Sequence, residues 1–104
     1  MVTYLGNAFS LQMLDGSVAH TLVVTPVTIE EVVAADFVSV VGHADTANVL
    51  TSMLGREVAM NRTSVKLDTD TVLYVAQIVG GRLPEGATTL PEGFQLSFLK
   101  VTLA

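Results

Sequence analysis

This sequence contains no cysteine and no tryptophan, and charged side chains make up only 14% of its 104 residues. The absence of cysteine excludes disulfide bonds, thiolate metal sites and cysteine nucleophiles. Only five lysine and arginine residues are present, and the formal net charge is −5. Broad binding of duplex nucleic acid needs many cationic contacts with phosphate, so the chain is poorly suited to it. Such low charge also leaves apolar surface that another subunit can cover.

Half of the residues are hydrophobic, yet no apolar run is long enough to span a membrane. The first residues, Met1 to Tyr4, carry neither the basic nor the apolar part of a secretion signal. We therefore expect a soluble protein of the cytoplasm, without a membrane partner. The length predicts a single domain over residues 1–104 with its own hydrophobic core.

The hydrophobic pattern predicts strands that alternate with helices. Strands are expected at residues 2–5, 18–24, 37–41, 72–79 and 94–103, with shorter ones at 58–60 and 64–67. Pro26 is expected to end the second strand. Helical segments are expected at 8–14, from the capping box of Thr28 and Glu31 to about Ala35, and at 46–54 before Gly55. This order predicts an α/β fold, a single compact domain with a mixed β-sheet flanked by helices.

A lone histidine, His43, lies where the third strand ends and the longest helix begins, between Gly42 and Ala44. Free backbone N–H groups at a helix start can bind an anion. Histidine titrates near neutral pH, so it can also transfer a proton there. The same position suits a histidine that only caps the helix or packs at the turn, and the residues alone leave both interpretations open.

Other polar residues at strand ends have a functional and a structural interpretation. Asn7 and Ser10 follow the first strand, where they can bind a ligand or cap a short helix. Gln77 interrupts the most hydrophobic strand, and a buried amide there needs hydrogen-bond partners, for which neighbouring loop backbone would suffice. Arg82 and Glu85 lie three residues apart in a loop rich in glycine and proline, either as functional groups or as a solvated ion pair.

Two further residues are interpreted as structural. Arg62 is expected to tie a turn to a carboxylate, and His20 lies in a strand-like segment without obvious partners. No group of His, Asp and Glu has metal-ligand spacing, and no glycine-rich loop of the nucleoside-triphosphate type is present.

Several of these segments together resemble the ring nucleases of archaeal viruses and bacteriophages, anti-CRISPR enzymes that degrade cyclic tetra-adenylate. The matching segments are Tyr4-Leu5-Gly6-Asn7-Ala8-Phe9-Ser10, Met13-Leu14, Gly42-His43-Ala44-Asp45-Thr46, Leu54-Gly55, Asn61-Arg62, Gln77-Ile78 and Arg82-Leu83-Pro84-Glu85-Gly86. They follow in the order of the family from residue 4 to about residue 86. The sequence departs from the family at Gln12, which replaces a shorter asparagine, and at Gly80-Gly81, which adds about one residue.

The resemblance implies a homodimer that binds the cyclic ligand across its two-fold axis and needs neither metal nor cofactor. It implies catalytic roles for His43, Arg82 and Glu85. It implies ligand contacts from Asn7, Ser10, Gln12, Gly42, Ala44 and Gln77. In the implied reaction a ribose 2′-hydroxyl attacks the adjacent phosphodiester, His43 protonates the leaving 5′-oxygen, and linear di-adenylate with a 2′,3′-cyclic phosphate is released.

Two other functions remain compatible with the residues. The same pocket would let a non-catalytic protein sequester the cyclic nucleotide. A dimeric DNA-binding regulator is the weakest alternative, because the acidic net charge argues against it.

Overall fold

The computed structural model describes residues 1–104. Its five strands form one mixed β-sheet. Its strands are β1 (Val2–Gly6), β2 (Leu22–Val27), β3 (Val38–Ser39), β4 (Thr71–Val79) and β5 (Gln95–Leu103). Their order across the sheet is β2-β5-β4-β1-β3. Strand β1 runs parallel to β3 and β4, whereas β5 runs antiparallel to β2 and β4. The predicted α/β fold, a single compact domain with a mixed sheet, is confirmed.

The central strand β4 is buried on both faces for most of its length. Tyr74 and Ala76 pack into the larger core with Leu5 of β1 and Leu50. Their neighbours on the strand, Leu73 and Val75, point the other way and pack into a second core. We call these the helix face and the opposite face of the sheet. Coverage of both faces explains why this strand is almost continuously apolar in sequence.

The two α-helices lie near their predicted positions, whereas the helical segment expected at 8–14 is reduced to one short 3-10 turn. Helix α1 spans Ile29–Ala34, helix α2 spans Ala44–Leu54, and a 3-10 turn spans Leu11–Met13. Helix α2 starts two residues before the predicted Thr46 and stops at Gly55, whose φ of 67° is left-handed. With 6 and 11 residues, neither α-helix has the length or apolar character to cross a bilayer.

Several sequence-based expectations about strands are wrong. The second strand begins at Leu22 rather than at residue 18, and β3 covers only Val38–Ser39 of the expected 37–41. Pro26 does not end β2 but pairs with Leu99 inside it, which is tolerated because β2 is an edge strand. The expected strands at 58–60 and 64–67 do not form, and only one bridge, Val41 to Met60, is present there. The backbone N–H of Val58 donates to the Thr51 hydroxyl instead, so local side-chain bonds replace a ladder.

The capping box at α1 forms only by half. The Thr28 hydroxyl accepts from the Glu31 backbone N–H at 3.2 Å, as predicted. The Glu31 carboxylate does not reach back to Thr28. It accepts from the Tyr74 hydroxyl at 2.8 Å and lies 3.7 Å from Lys100 Nζ. The Glu31 side chain therefore interacts with residues of the sheet instead of completing the capping box.

We expect the protein to lose stability in alkaline solution because of the Tyr74 hydroxyl. Burial and the hydrogen bond to Glu31 raise the pKa of Tyr74 from 10.0 to about 12. Between these values the unfolded chain loses the proton while the folded chain keeps it, so stability falls as pH rises through this window. We expect a loss of roughly 1 kcal/mol by about pH 11 that Tyr74→Phe abolishes. Urea unfolding at about pH 9 and about pH 11 measures it, with Tyr4→Phe as control; an unchanged pH dependence in Tyr74→Phe would contradict this origin.

Candidate functional site

His43 is the residue immediately before helix α2. Its backbone is extended, with φ −137° and ψ 126°, and its carbonyl accepts from the Ala47 N–H at 3.0 Å. Its imidazole makes no capping hydrogen bond and is exposed. The structural interpretation of His43 as a side-chain cap is therefore not observed. The ring stands free beside the open N–H groups of the helix start.

A cavity of about 890 Å³ opens beside this ring. It lies where the parallel strands β1 and β4 end, the edge at which α/β sheets commonly bind ligands. The lining residues are Asn7, His43, Asp45, Thr46, Ile78, Gly81, Arg82, Leu83 and Glu85. Four residues expected at the site, Asn7, His43, Arg82 and Glu85, thus come from separate parts of the chain and line one cavity.

Asn7 connects the end of β1 to the junction before α2. Its Oδ1 accepts from the Gly42 backbone N–H at 3.2 Å. Asn7 therefore does not cap the first helical turn, which was its structural alternative. The bond fixes the backbone one residue before His43. Ala44, the first residue of α2, is exposed next to it.

Ser10 and Gln12 lie elsewhere. They line a second cavity of about 500 Å³ together with Met13 and residues 63–66. The Ser10 hydroxyl accepts from the Gln12 backbone N–H at 3.2 Å, so Ser10 does cap the 3-10 turn. Within one chain, four of the expected site residues line the first cavity, Ser10 and Gln12 line the second, and Gly42, Ala44 and Gln77 line neither.

Gln77 is not buried, which corrects the expectation from its apolar neighbours. Its side chain is exposed on the opposite face of the sheet and lines neither cavity. The alternation of side chains along β4 explains the exposure of Gln77. Leu73 and Val75 on the same face belong to the second core, whereas Gln77 lies beyond its edge. The amide accordingly needs no protein partner.

Arg82 and Glu85 do not form an ion pair with each other. The two ion pairs of the structure join the N-terminal amine to Asp70 and Lys100 to Glu31. Both loop side chains are exposed and line the large cavity. Their charges are therefore available to a ligand.

Arg62 also lacks the carboxylate partner expected from the sequence. Its stem packs on the junction instead, since a Cβ built on Gly42 would lie 3.4 Å from Arg62 Cγ. In the sequence, Asn61-Arg62 is one of the segments that resemble the ring nuclease family. Its position beside Gly42 is visible only in the folded chain. His20 has the structural role expected of it, with Nε2 2.6 Å from the Asp15 carbonyl oxygen.

Sequence reasoning missed Asp45 as a lining residue, although it lies only two positions after His43. Its carboxylate oxygen Oδ2 accepts from the Gly86 N–H at 3.3 Å. The cavity thus combines a free imidazole, an arginine, two carboxylates and a helix start, which are groups that can hold a phosphate ester and transfer a proton. No cluster of three or more histidine and acidic side chains is placed to hold a metal ion.

Known proteins share this fold and sequence pattern. B116 of Sulfolobus turreted icosahedral virus aligns with a TM-score of 0.79 and 22% identity, over 98% of this chain and 99% of that chain. Comparison with curated protein sequences gives no match. Residues 3–97 match the sequence profile of the STIV B116-like family. The resemblance to viral proteins is confirmed at this level, while the ring nuclease activity stays a prediction. Because the profile match spans nearly the whole chain, this protein belongs to the STIV B116-like family.

Proposed function

We propose that this protein is a metal-independent ring nuclease that opens cyclic tetra-adenylate. The observation that carries the proposal is the free His43 imidazole at the start of α2, in one cavity with Asn7, Arg82 and Glu85. Such a reaction asks little of the protein, because the substrate already holds its nucleophile next to the phosphate. Positioning then supplies a large part of the rate.

In the proposed step the O2′–P bond forms while the P–O5′ bond of the same phosphodiester breaks. The 2′-hydroxyl proton passes to water, and protonated His43 gives its proton to the leaving O5′. Two such cuts at opposite phosphates convert the ring into two linear di-adenylates, each with a 2′,3′-cyclic phosphate. Arg82 and the N–H groups of α2 stabilise the negative charge that develops on phosphorus oxygens. Glu85 orients or balances the charge of the imidazolium.

The uncovered part of the sheet supports a homodimer. The strand register places six residues together on the opposite face, beyond the second core: Val24, Pro26, Gln77, Val79, Ser97 and Leu99. Val24 is 53% exposed and Val79 is 59% exposed. A second copy that covers this face would bury them and would bring Gln77 into the interface. The ligand contact expected of Gln77 would then be made at this interface.

If the proposal holds in a prokaryotic host cell, ring opening removes the messenger that activates the ancillary effectors of type III CRISPR. A virus that encodes the protein would thereby weaken host immunity. The alternative is sequestration of the same messenger without cleavage, for which the exposed cationic and amide groups of the cavity would suffice.

Incubation of the purified protein with cyclic tetra-adenylate in EDTA, followed by chromatography, tests the function. We expect linear di-adenylate with a 2′,3′-cyclic phosphate, and cyclic hexa-adenylate in parallel reports ring-size preference. Tight binding without product over hours would replace the nuclease by the sequestering protein. Absence of both binding and product would reject the messenger altogether. Sedimentation of the same sample tests the homodimer, which a purely monomeric species would contradict.

A further inference from the structure

The loop from Gly80 to Gly93 makes few hydrogen bonds with the rest of the protein, although Leu83, Ala87, Leu90 and Pro91 are partly buried. The Ala87 N–H donates to the Pro84 carbonyl in a turn within the loop, and the Phe94 N–H donates to the Pro91 carbonyl in a turn at its end. A single hydrogen bond joins the loop to another element, from the Gly86 N–H to Asp45 Oδ2 at 3.3 Å. All four glycines of the loop have positive φ values, so its backbone has torsional freedom that other residues lack.

Asp45 is well placed to hold this loop. It is the second residue of α2, it is half-buried, and it lines the cavity two positions after His43. Gly86 directly follows Glu85 and lies four residues after Arg82. A bond at Gly86 therefore restricts the loop segment that carries both charged side chains into the cavity beside the imidazole.

We propose that Asp45 is a positioning residue that latches the 80–93 loop over the cavity before ligand binds. The role for catalysis rests on the proposed ring nuclease function, whereas the latch itself does not. A loop that is ordered in advance loses less conformational entropy when ligand arrives, so the latch strengthens capture of the ligand. Once the ring is bound, contacts with the ligand hold the loop, and the chemical step depends little on Asp45.

Asp45 could also weaken ligand binding, because its carboxylate repels the phosphates of the ligand. Its negative charge lies in a cavity that would receive phosphates, and removal of the charge would then tighten binding. The two effects have opposite signs. Loss of the latch raises KM, whereas loss of repulsion lowers it.

Hydrogen–deuterium exchange of the loop peptide, measured without nucleotide, tests the latch directly. We expect Asp45→Ala to speed exchange over residues 80–93 by about tenfold, since a hydrogen bond to a charged acceptor is lost. Asp45→Asn, which keeps an acceptor oxygen but not the charge, should give an intermediate rate, and it replaces the alanine variant if that one fails to fold. The exposed Asp36, which makes no hydrogen bond or ion pair, supplies the control Asp36→Ala.

The same variants are then compared in ring cleavage. We expect KM to rise by about tenfold in Asp45→Ala with kcat changed less than about twofold, and Asp45→Asn to recover part of the loss. Unchanged exchange in the loop, or a KM that falls, would overturn the latch. If the wild-type protein cleaves no ring while Asp45→Ala still speeds loop exchange, the ring nuclease function fails and the latch stands.

Discussion

Replacement of His43 by alanine is expected to slow cleavage of cyclic tetra-adenylate by about a hundredfold to ten-thousandfold, the usual contribution of a general acid. The affinity for the ring should change far less, because Arg82, Asn7 and the N–H groups of α2 remain. Single-turnover rates and equilibrium binding, measured on the same preparation, separate the two effects.

We expect the His43→Ala variant to keep the native fold. The His43 ring makes no capping hydrogen bond, so its removal leaves the hydrogen bonds of helix α2 intact. His20→Ala is the matched control, because that histidine contacts the Asp15 carbonyl rather than the cavity. Full cleavage activity in His43→Ala would reject the proposed proton donor. A parallel loss in His20→Ala would show that the assay reports stability instead of chemistry.

Leu50→Ala is expected to cost about 2–5 kcal/mol of the free energy of unfolding. Leu50 is fully buried in the larger core, where helix α2 packs on the sheet. Truncation removes apolar contacts and leaves a cavity that rigid strands fill only partly. Because the start of α2 presents His43, loosening of this helix should also lower ring cleavage at temperatures near unfolding.

Met53 on the same helix provides the comparison, since it is 40% exposed. Met53→Ala should cost less than about 1 kcal/mol by chemical denaturation. Equal losses in the two variants would mean that α2 does not pack on the sheet through Leu50.

The strongest local signals in the sequence led to correct structure. The apolar pattern of β4 and the stop at Gly55 depend on burial and on a left-handed backbone, which are properties of the segments themselves. The capping box was correct only in Thr28, because Glu31 found a better partner in Tyr74, 43 residues away. Pro26 failed as a strand end because only the sheet order makes β2 an edge.

The candidate site divides in the same way. The sequence predicts which residue types form the site. Four of them, His43, Asn7, Arg82 and Glu85, line one cavity in the folded protein. Gln77 was expected to be buried because a local pattern cannot show where the cover over a strand stops. The resemblance implies that Ser10 and Gln12 contact the same ligand, yet within one chain they line a second cavity. No local pattern marks Asp45, because its partner, Gly86, is 41 positions away.

The sequence alone predicts the two α-helices, the central strand and the chemical groups available to a ligand, since these depend on neighbouring residues. Tertiary structure alone decided which groups meet, which face of the sheet stays open, and which side chains lack partners. Hydrogen bonds and packing across the sheet select these contacts from residues far apart along the chain, and no local pattern encodes that selection. The free imidazole of His43, on which the proposed function rests, is such a feature of the folded chain.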